Sequence, residues 1–228
     1  MHNIIVLKEG NQGGMKVMRL RKNWSARPQM EASPFCIYNP YELKGKWHEV
    51  FGNNNEIYLE LGCGRGTFIC EMAKRNPKKN FIAVDLKDEV LIYVLRKIEQ
   101  EELENVRIMP LNIMLIKDVF QKEEISNIYL NFSTPWPKDR HNKRRLSYPT
   151  FLQMYKNFLK KGGSIRLKTD NKPFFEDSIE YFKKQQFKII FHTFDLHNSE
   201  YKDENIVTEY EDKFSKMGMN IMFLIAQY

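Results

Sequence analysis

The sequence predicts an α/β fold, a mainly parallel sheet of seven strands with helices on both faces. Two observations carry this. From residue 57 onward, short apolar runs of strand length alternate with amphipathic stretches of helical period. Strands alternating with helices make a mainly parallel sheet that is covered on both sides. A glycine-rich turn, Gly62-Cys-Gly64-Arg-Gly66, joins the first run to the first helical stretch. The 228 residues, 42% hydrophobic and 13% aromatic, suffice for one such domain with a sizeable core.

The elements follow in order. Residues 1–17, with Gly13-Gly14 ahead of Met15, read as a flexible leader. Residues 18–228 read as a single domain whose first part, 18–50, is a basic arm. From the end of the leader into this arm, Lys16, Arg19, Arg21, Lys22 and Arg27 surround Trp24, without a periodic apolar face. The first strand is 57–61 and the first helix 67–75, with Phe68, Ile69, Met72 and Ala73 facing inward. The second strand, 80–85, ends in Asp85. A helix over about 88–103 carries Val90, Leu91, Val94, Leu95 and Ile98 on one face. Strands follow at 106–109 and 127–132. A helix over 148–161 is expected to stop at Gly162-Gly163, as helices often do at glycine. Strand five is 164–169, and Pro173 opens a helix with Phe174, Phe175, Ile179 and Phe182 inward. Strand six is 187–194, a short helix holds Tyr210 and Phe214, and strand seven is 220–226. A final pair of strands with little between them can be antiparallel.

The glycine turn is Rossmann-like, but its spacing is not that of a dinucleotide site. A GxGxxG pattern needs glycine at position 67, which is Thr. A GxGxG turn preceded by Glu60 suits a ligand with no pyrophosphate and with positive charge, such as S-adenosylmethionine (SAM). Glycines 62, 64 and 66 let the backbone approach that ligand. Asp85 lies about 20 residues further on, where an acid accepts hydrogen bonds from ribose hydroxyls. Asn112, after the third strand, is placed for an adenine edge.

Open α/β sheets bind ligands beyond the C-terminal ends of their strands. After strand four comes Asn131-Phe-Ser-Thr-Pro-Trp-Pro137, a turn stiffened by two prolines. Next, Lys138 to Arg145 contains five Lys or Arg residues in eight, the pattern of a phosphate-gripping loop. After strand five comes Asp170, and before the last strand comes Thr208-Glu-Tyr-Glu211. Guanine offers acceptors at N7 and O6 and donors on its Watson–Crick edge. Asp170, Glu211, Thr208 and Lys138 supply the matching groups. A net charge of +7 agrees with a nucleic-acid partner. Three cysteines, Cys36, Cys63 and Cys70, lack metal-site spacing, so no metal is expected and reduced cytosolic thiols are. No apolar run approaches the ~20 residues of a membrane span, and a cytoplasmic enzyme with no membrane partner is expected.

Together these motifs resemble the bacterial tRNA (guanine-N7-)-methyltransferases, which methylate guanine 46 in the tRNA variable loop. The resemblance rests on Met18-Arg-Leu-Arg, Glu60-Leu-Gly-Cys-Gly-Arg-Gly, Tyr129-Leu-Asn-Phe-Ser, Pro135-Trp-Pro-Lys, Arg140-His-Asn-Lys-Arg-Arg-Leu, Lys168-Thr-Asp-Asn, Asp195-Leu-His-Asn-Ser and Thr208-Glu-Tyr-Glu. It implies a class I SAM-dependent methyltransferase fold, tRNA as partner and S-adenosylhomocysteine as product, in a monomer or homodimer. It implies that Glu60, Asp85 and Asn112 bind SAM and that Lys138, Asp170 and Thr208 through Glu211 hold the guanine. Arg140, Lys143, Arg144 and Arg145 would touch RNA. One position departs from the family: Thr134 stands where its members usually carry Asp, so Thr134 and Asp170 are the candidate catalytic residues. The alternative reading is a tRNA-binding protein whose catalysis is impaired by Thr134. An exocyclic-amine methyltransferase fits less well, because Thr-Pro-Trp-Pro lacks the Asn or Asp that accepts the amine hydrogens.

Overall fold

The computed structural model describes residues 6–9, 15–18 and 23–228. Strands β1 (Val6–Glu9) and β2 (Met15–Met18) pair antiparallel, with Val6 opposite Met18. The leader expected over 1–17 therefore contains paired backbone on either side of its glycines. Residues 1–5, 10–14 and 19–22 lie outside the described residues, and with them Arg19, Arg21 and Lys22 of the expected arm.

The rest of the arm is built into the domain. Helix α1 (Ala26–Glu31) buries Ala26 and Met30, and α2 (Trp47–Phe51) buries Trp47 completely. The Trp47 indole N–H donates to the Val119 carbonyl at 3.4 Å. Arg27 pairs with Glu31 at 2.7 Å and Asp88 at 3.3 Å, and its guanidinium lies 4.0 Å from the centre of the Tyr38 ring. These helices were not foreseen, because each is anchored by one or two large side chains and not by a periodic face.

From residue 57 the expected alternation appears. The elements are β3 (Ile57–Leu61), α3 (Thr67–Arg75), β4 (Asn80–Asp85), α4 (Asp88–Gln100), β5 (Val106–Pro110) and β6 (Ile125–Asn131). Then come α5 (Pro149–Tyr155), β7 (Leu159–Thr169), α6 (Lys172–Lys184), β8 (Lys188–Thr193), α7 (Glu209–Lys216) and β9 (Met222–Gln227). Seven strands form one sheet in the order β5-β4-β3-β6-β7-β9-β8. All are parallel except β9, which inserts antiparallel between β7 and β8.

One helix end differs from expectation. Helix α5 stops at Tyr155, and Gly162-Gly163 lie inside β7. A Cβ on Gly163 would sit 2.6 Å from the Ser126 carbonyl oxygen, so this glycine serves a close approach to β6 and not a helix cap.

Side chains alternate across the sheet, as pleating requires. Leu59 and Leu61 of β3 enter one core, with Phe151 and Tyr155 of α5 and Phe174, Phe175 and Phe182 of α6. Tyr58 enters the other, with Phe68 and Ile69 of α3 and Leu91, Val94, Leu95 and Ile98 of α4. Glu60 therefore shares the α3 face. Strand order reverses between β3 and β6, and the crevice beyond their C-terminal ends holds the chemistry.

Candidate active site

The glycine turn leaves β3 at the rim of that crevice. Gly62, Gly64 and Gly66 all adopt positive φ, at 81°, 55° and 73°. The Gly62 and Cys63 N–H groups donate to the Val84 carbonyl at 2.8 and 3.0 Å, tying the turn to β4. Asp85 ends β4 and accepts from Gly64 N at 3.2 Å and Leu86 N at 2.7 Å. Burial pushes its carboxyl above the ordinary value, against backbone hydrogen bonds from Leu86, Gly64 and Lys87. A Cβ at Gly62 or Gly64 would meet nothing within 4 Å, whereas one at Gly66 would strike Val94 Cγ1 at 2.7 Å. The first two glycines leave open space for a ligand; the third admits α4.

Glu60 sits beneath the turn, 2% exposed. One carboxylate oxygen accepts from Asn131 Nδ2 at 2.8 Å, and the other, Oε2, is buried with no hydrogen-bond partner. Burial raises the Glu60 carboxyl to about 8, against the Asn131 hydrogen bond and the Lys168 charge. A buried carboxyl oxygen with no partner, beside open glycine backbone, fits the cationic end of SAM, whose charge would favour the ionised form over the proton. Asn112 is exposed, and its Oδ1 caps the 3-10 turn Ile113–Asp118 by accepting from Met114 N at 3.1 Å.

Beyond Asn131 the same face carries a second polar cluster. Lys168 of β7, 3% exposed, donates to Glu211 Oε2 at 2.7 Å, Asn205 Oδ1 at 3.0 Å and the Ile206 carbonyl at 2.9 Å. All three ammonium hydrogens are used. Glu211 is completely buried, and its other oxygen meets His197 Nε2 at 2.8 Å and Asn205 Nδ2 at 2.5 Å. Burial raises the Glu211 carboxyl and lowers the Lys168 ammonium. For Glu211 the charge of Lys168 and the hydrogen bonds from Lys168, His197 and Asn205 outweigh burial and hold it below the ordinary value. Glu211 was expected to hold guanine; it is instead the buried anchor of α7. Thr208 caps that helix, accepting from Glu211 N at 3.1 Å.

Glu209 and Tyr210 are the exposed residues of this segment, and Tyr210 turns toward Asp170. Its hydroxyl donates to Asp170 Oδ2 at 3.3 Å, and its ring lies 4.9 Å from Phe132. Asp170, half-buried, thus faces the crevice between β7 and α7. His197 and Asn205 were given no role from sequence, whereas Tyr210 lies in the Thr208–Glu211 segment expected to hold the guanine. A lone histidine and an asparagine in a loop carry no spacing signal.

The turn after β6 exposes Thr134 and Lys138. Trp136 adopts φ 45°, unusual for a non-glycine residue. The basic run forms a 3-10 turn, Asp139–Arg144, with Arg140, Lys143 and Arg144 exposed. Arg144 lies 5.0 Å from the Trp136 ring centre. Arg145 was expected to touch RNA, but it is 4% exposed and turned inward onto Asp177 of α6 at 2.6 Å. No group of metal-ligating side chains occurs among the described residues, and no helix there is long and apolar enough to cross a membrane.

Sheet order, open glycine turn and acidic crevice define a class I SAM-dependent methyltransferase. The Methyltransf_4 family of methyltransferases matches residues 54–224. The tRNA (guanine-N(7)-)-methyltransferase of Clostridium tetani is 62% identical over 92% of this chain and 99% of its own length. That of Clostridium acetobutylicum is 59% identical over the same shares. The chain belongs to this family. Among solved structures, an antibiotic-related methyltransferase superposes with TM-score 0.60 at 17% identity, covering 81% of this chain and 92% of its own. A 16S rRNA methyltransferase, KamB, also gives 0.60, at 10% identity over 80% and 92%. These two show the fold alone.

Proposed function

We propose that the protein methylates N7 of guanine 46 in the variable loop of tRNA, with residues 18–228 acting as one methyltransferase domain. The observation that carries this is the family membership, at 62% identity over nearly the whole of a tRNA (guanine-N(7)-)-methyltransferase. When bound, SAM supplies an electrophilic methyl carbon on a sulfonium. Glu60, Asp85, Asn112 and the faces of Gly62, Gly64 and Gly66 would hold it. Asp170, Lys138 and Thr208 would orient the guanine, and Arg140, Lys143 and Arg144 would grip the phosphates around it. An enzyme acting on tRNA is expected in the cytoplasm.

The chemistry explains how the site can work with Thr134. N7 is already a nucleophilic lone pair, and no proton leaves before attack. The task is alignment of N7 with the methyl carbon and sulfur. Charge then develops on the guanine ring, and the Asp170 carboxylate at the crevice favours it. Thr134 supplies a hydrogen bond and no charge. Asp170→Ala is expected to abolish transfer while SAM still binds. Full turnover by that variant would remove Asp170 from the site.

A further inference from the structure

Arg145 is the last residue of the basic run and differs from its neighbours in burial and in partners. Arg140, Lys143 and Arg144 face solvent, whereas Arg145 is buried beneath the Thr134–Pro137 turn. Its Nε donates to the Pro135 carbonyl at 2.6 Å and one Nη to the Trp136 carbonyl at 3.4 Å. The other Nη donates to Asp177 Oδ2 of α6 at 2.6 Å. The guanidinium also lies 5.4 Å from the ring centre of the fully buried Phe174. One planar fork therefore fastens the backbone of the turn to a core helix.

The turn needs such a fastening. Trp136 holds a left-handed backbone that persists only where its surroundings over-determine it. From outside, Arg144 stacks on the Trp136 ring at 5.0 Å and His141 meets it edge-on at 5.7 Å. The loop that presents cations to RNA thus holds the Trp136 ring from one side and the Trp136 backbone carbonyl from the other.

We infer that Arg145 is a positioning residue that fixes the Thr134–Pro137 turn against α6 and joins the RNA-facing loop mechanically to the site of methyl transfer. This rests on the functional reading above, in which the turn lies at that site. Arg145 acts through the turn's backbone; it does not meet a phosphate.

The test uses the full chain and unmodified tRNA transcripts. Arg145→Lys keeps the charge and loses the fork; Asp177→Asn leaves Arg145 in place and removes the charge of its anchor. For both, kcat, KM for tRNA and the salt dependence of tRNA affinity are measured, with Arg144→Ala as the contrast that lowers the salt slope. Arg145→Lys is expected to lower kcat ~10-fold or more, since small misplacements at a reacting centre cost that much. Asp177→Asn is expected to lower it less, both with wild-type KM and salt slope. A normal kcat with a salt slope reduced by about one would make Arg145 a phosphate contact and overturn the inference. Normal kcat and KM with only a lower melting temperature would make it a packing residue, and would overturn it equally. If Arg145→Lys fails to fold, Asp177→Asn decides alone. A wild-type enzyme that transfers no methyl group would instead overturn the reading of the site.

Discussion

Gly62 and Gly66 share a left-handed backbone and answer to different constraints. Both cost a non-glycine residue strain of ~1–2 kcal/mol. Gly66→Ala must also push Val94 aside from 2.7 Å, an overpacking cost of ~1–3 kcal/mol. Gly66→Ala is thus expected to lower the denaturant midpoint clearly more than Gly62→Ala, while Gly62→Ala weakens SAM binding in a folded protein. Equal destabilisation by the two would contradict this. Glu60 gives a pH dependence. Its carboxyl titrates at 4.5 when unfolded and about 8 when folded, so the folded state holds the extra proton between those values. Its contribution to stability is complete below the lower value, falls as pH rises, and is gone above the higher one. Glu60→Gln is expected to flatten stability over that window. Parallel declines in variant and wild type would show that the Glu60 proton is not linked to folding. At this scale Gly62, Gly64 and Asp85 were legible, because turn and strand-end positions follow from spacing. Glu211 and Arg145 were not. Their partners Lys168 and Asp177 lie 43 and 32 residues away, and sequence does not show which way a charged side chain turns.

Helix α7 is held by burial of charge more than by its own length of eight residues. Lys168→Met leaves Glu211 buried with only neutral-capable partners, and breaking such a pair costs ~3–5 kcal/mol. The double replacement Lys168→Met with Glu211→Leu is expected to recover much of that in urea unfolding, as apolar substitutes for buried pairs often do. A single variant of wild-type stability would show that His197 and Asn205 suffice. Element boundaries were legible wherever an apolar run was bounded by turn residues: β3, α3 and β4 stand where expected. They were not legible where one contact decides. Gly163 serves the approach to Ser126, and α2 exists because Trp47 fills the space beside Val119 and Phe120.

For the whole molecule, strand order and charge act together. The reversal between β3 and β6 gathers the glycine turn, Asp85, Asn131 and Thr134 at one edge, and the 3-10 turn that follows adds exposed cations. Replacing Arg140, Lys143 and Arg144 together by Ala is expected to weaken tRNA binding and reduce its salt slope by up to about three, one per phosphate released. An unaltered slope would place the RNA footprint elsewhere. The alternating pattern made the sheet legible in sequence, and the net charge of +7 points to the same partner class as the proposed function. The insertion of β9 between β7 and β8 was not, because it depends on pairing across the whole chain.

Under the proposed function, a site with Thr at position 134 transfers a methyl group to guanine N7. The most direct measurement of this is transfer from labelled SAM to unmodified tRNA transcripts, followed by mapping of the modified base. A single 7-methylguanine at position 46 in the variable loop is expected. Tight binding of SAM and tRNA with no incorporation, or label on any other base, would contradict it.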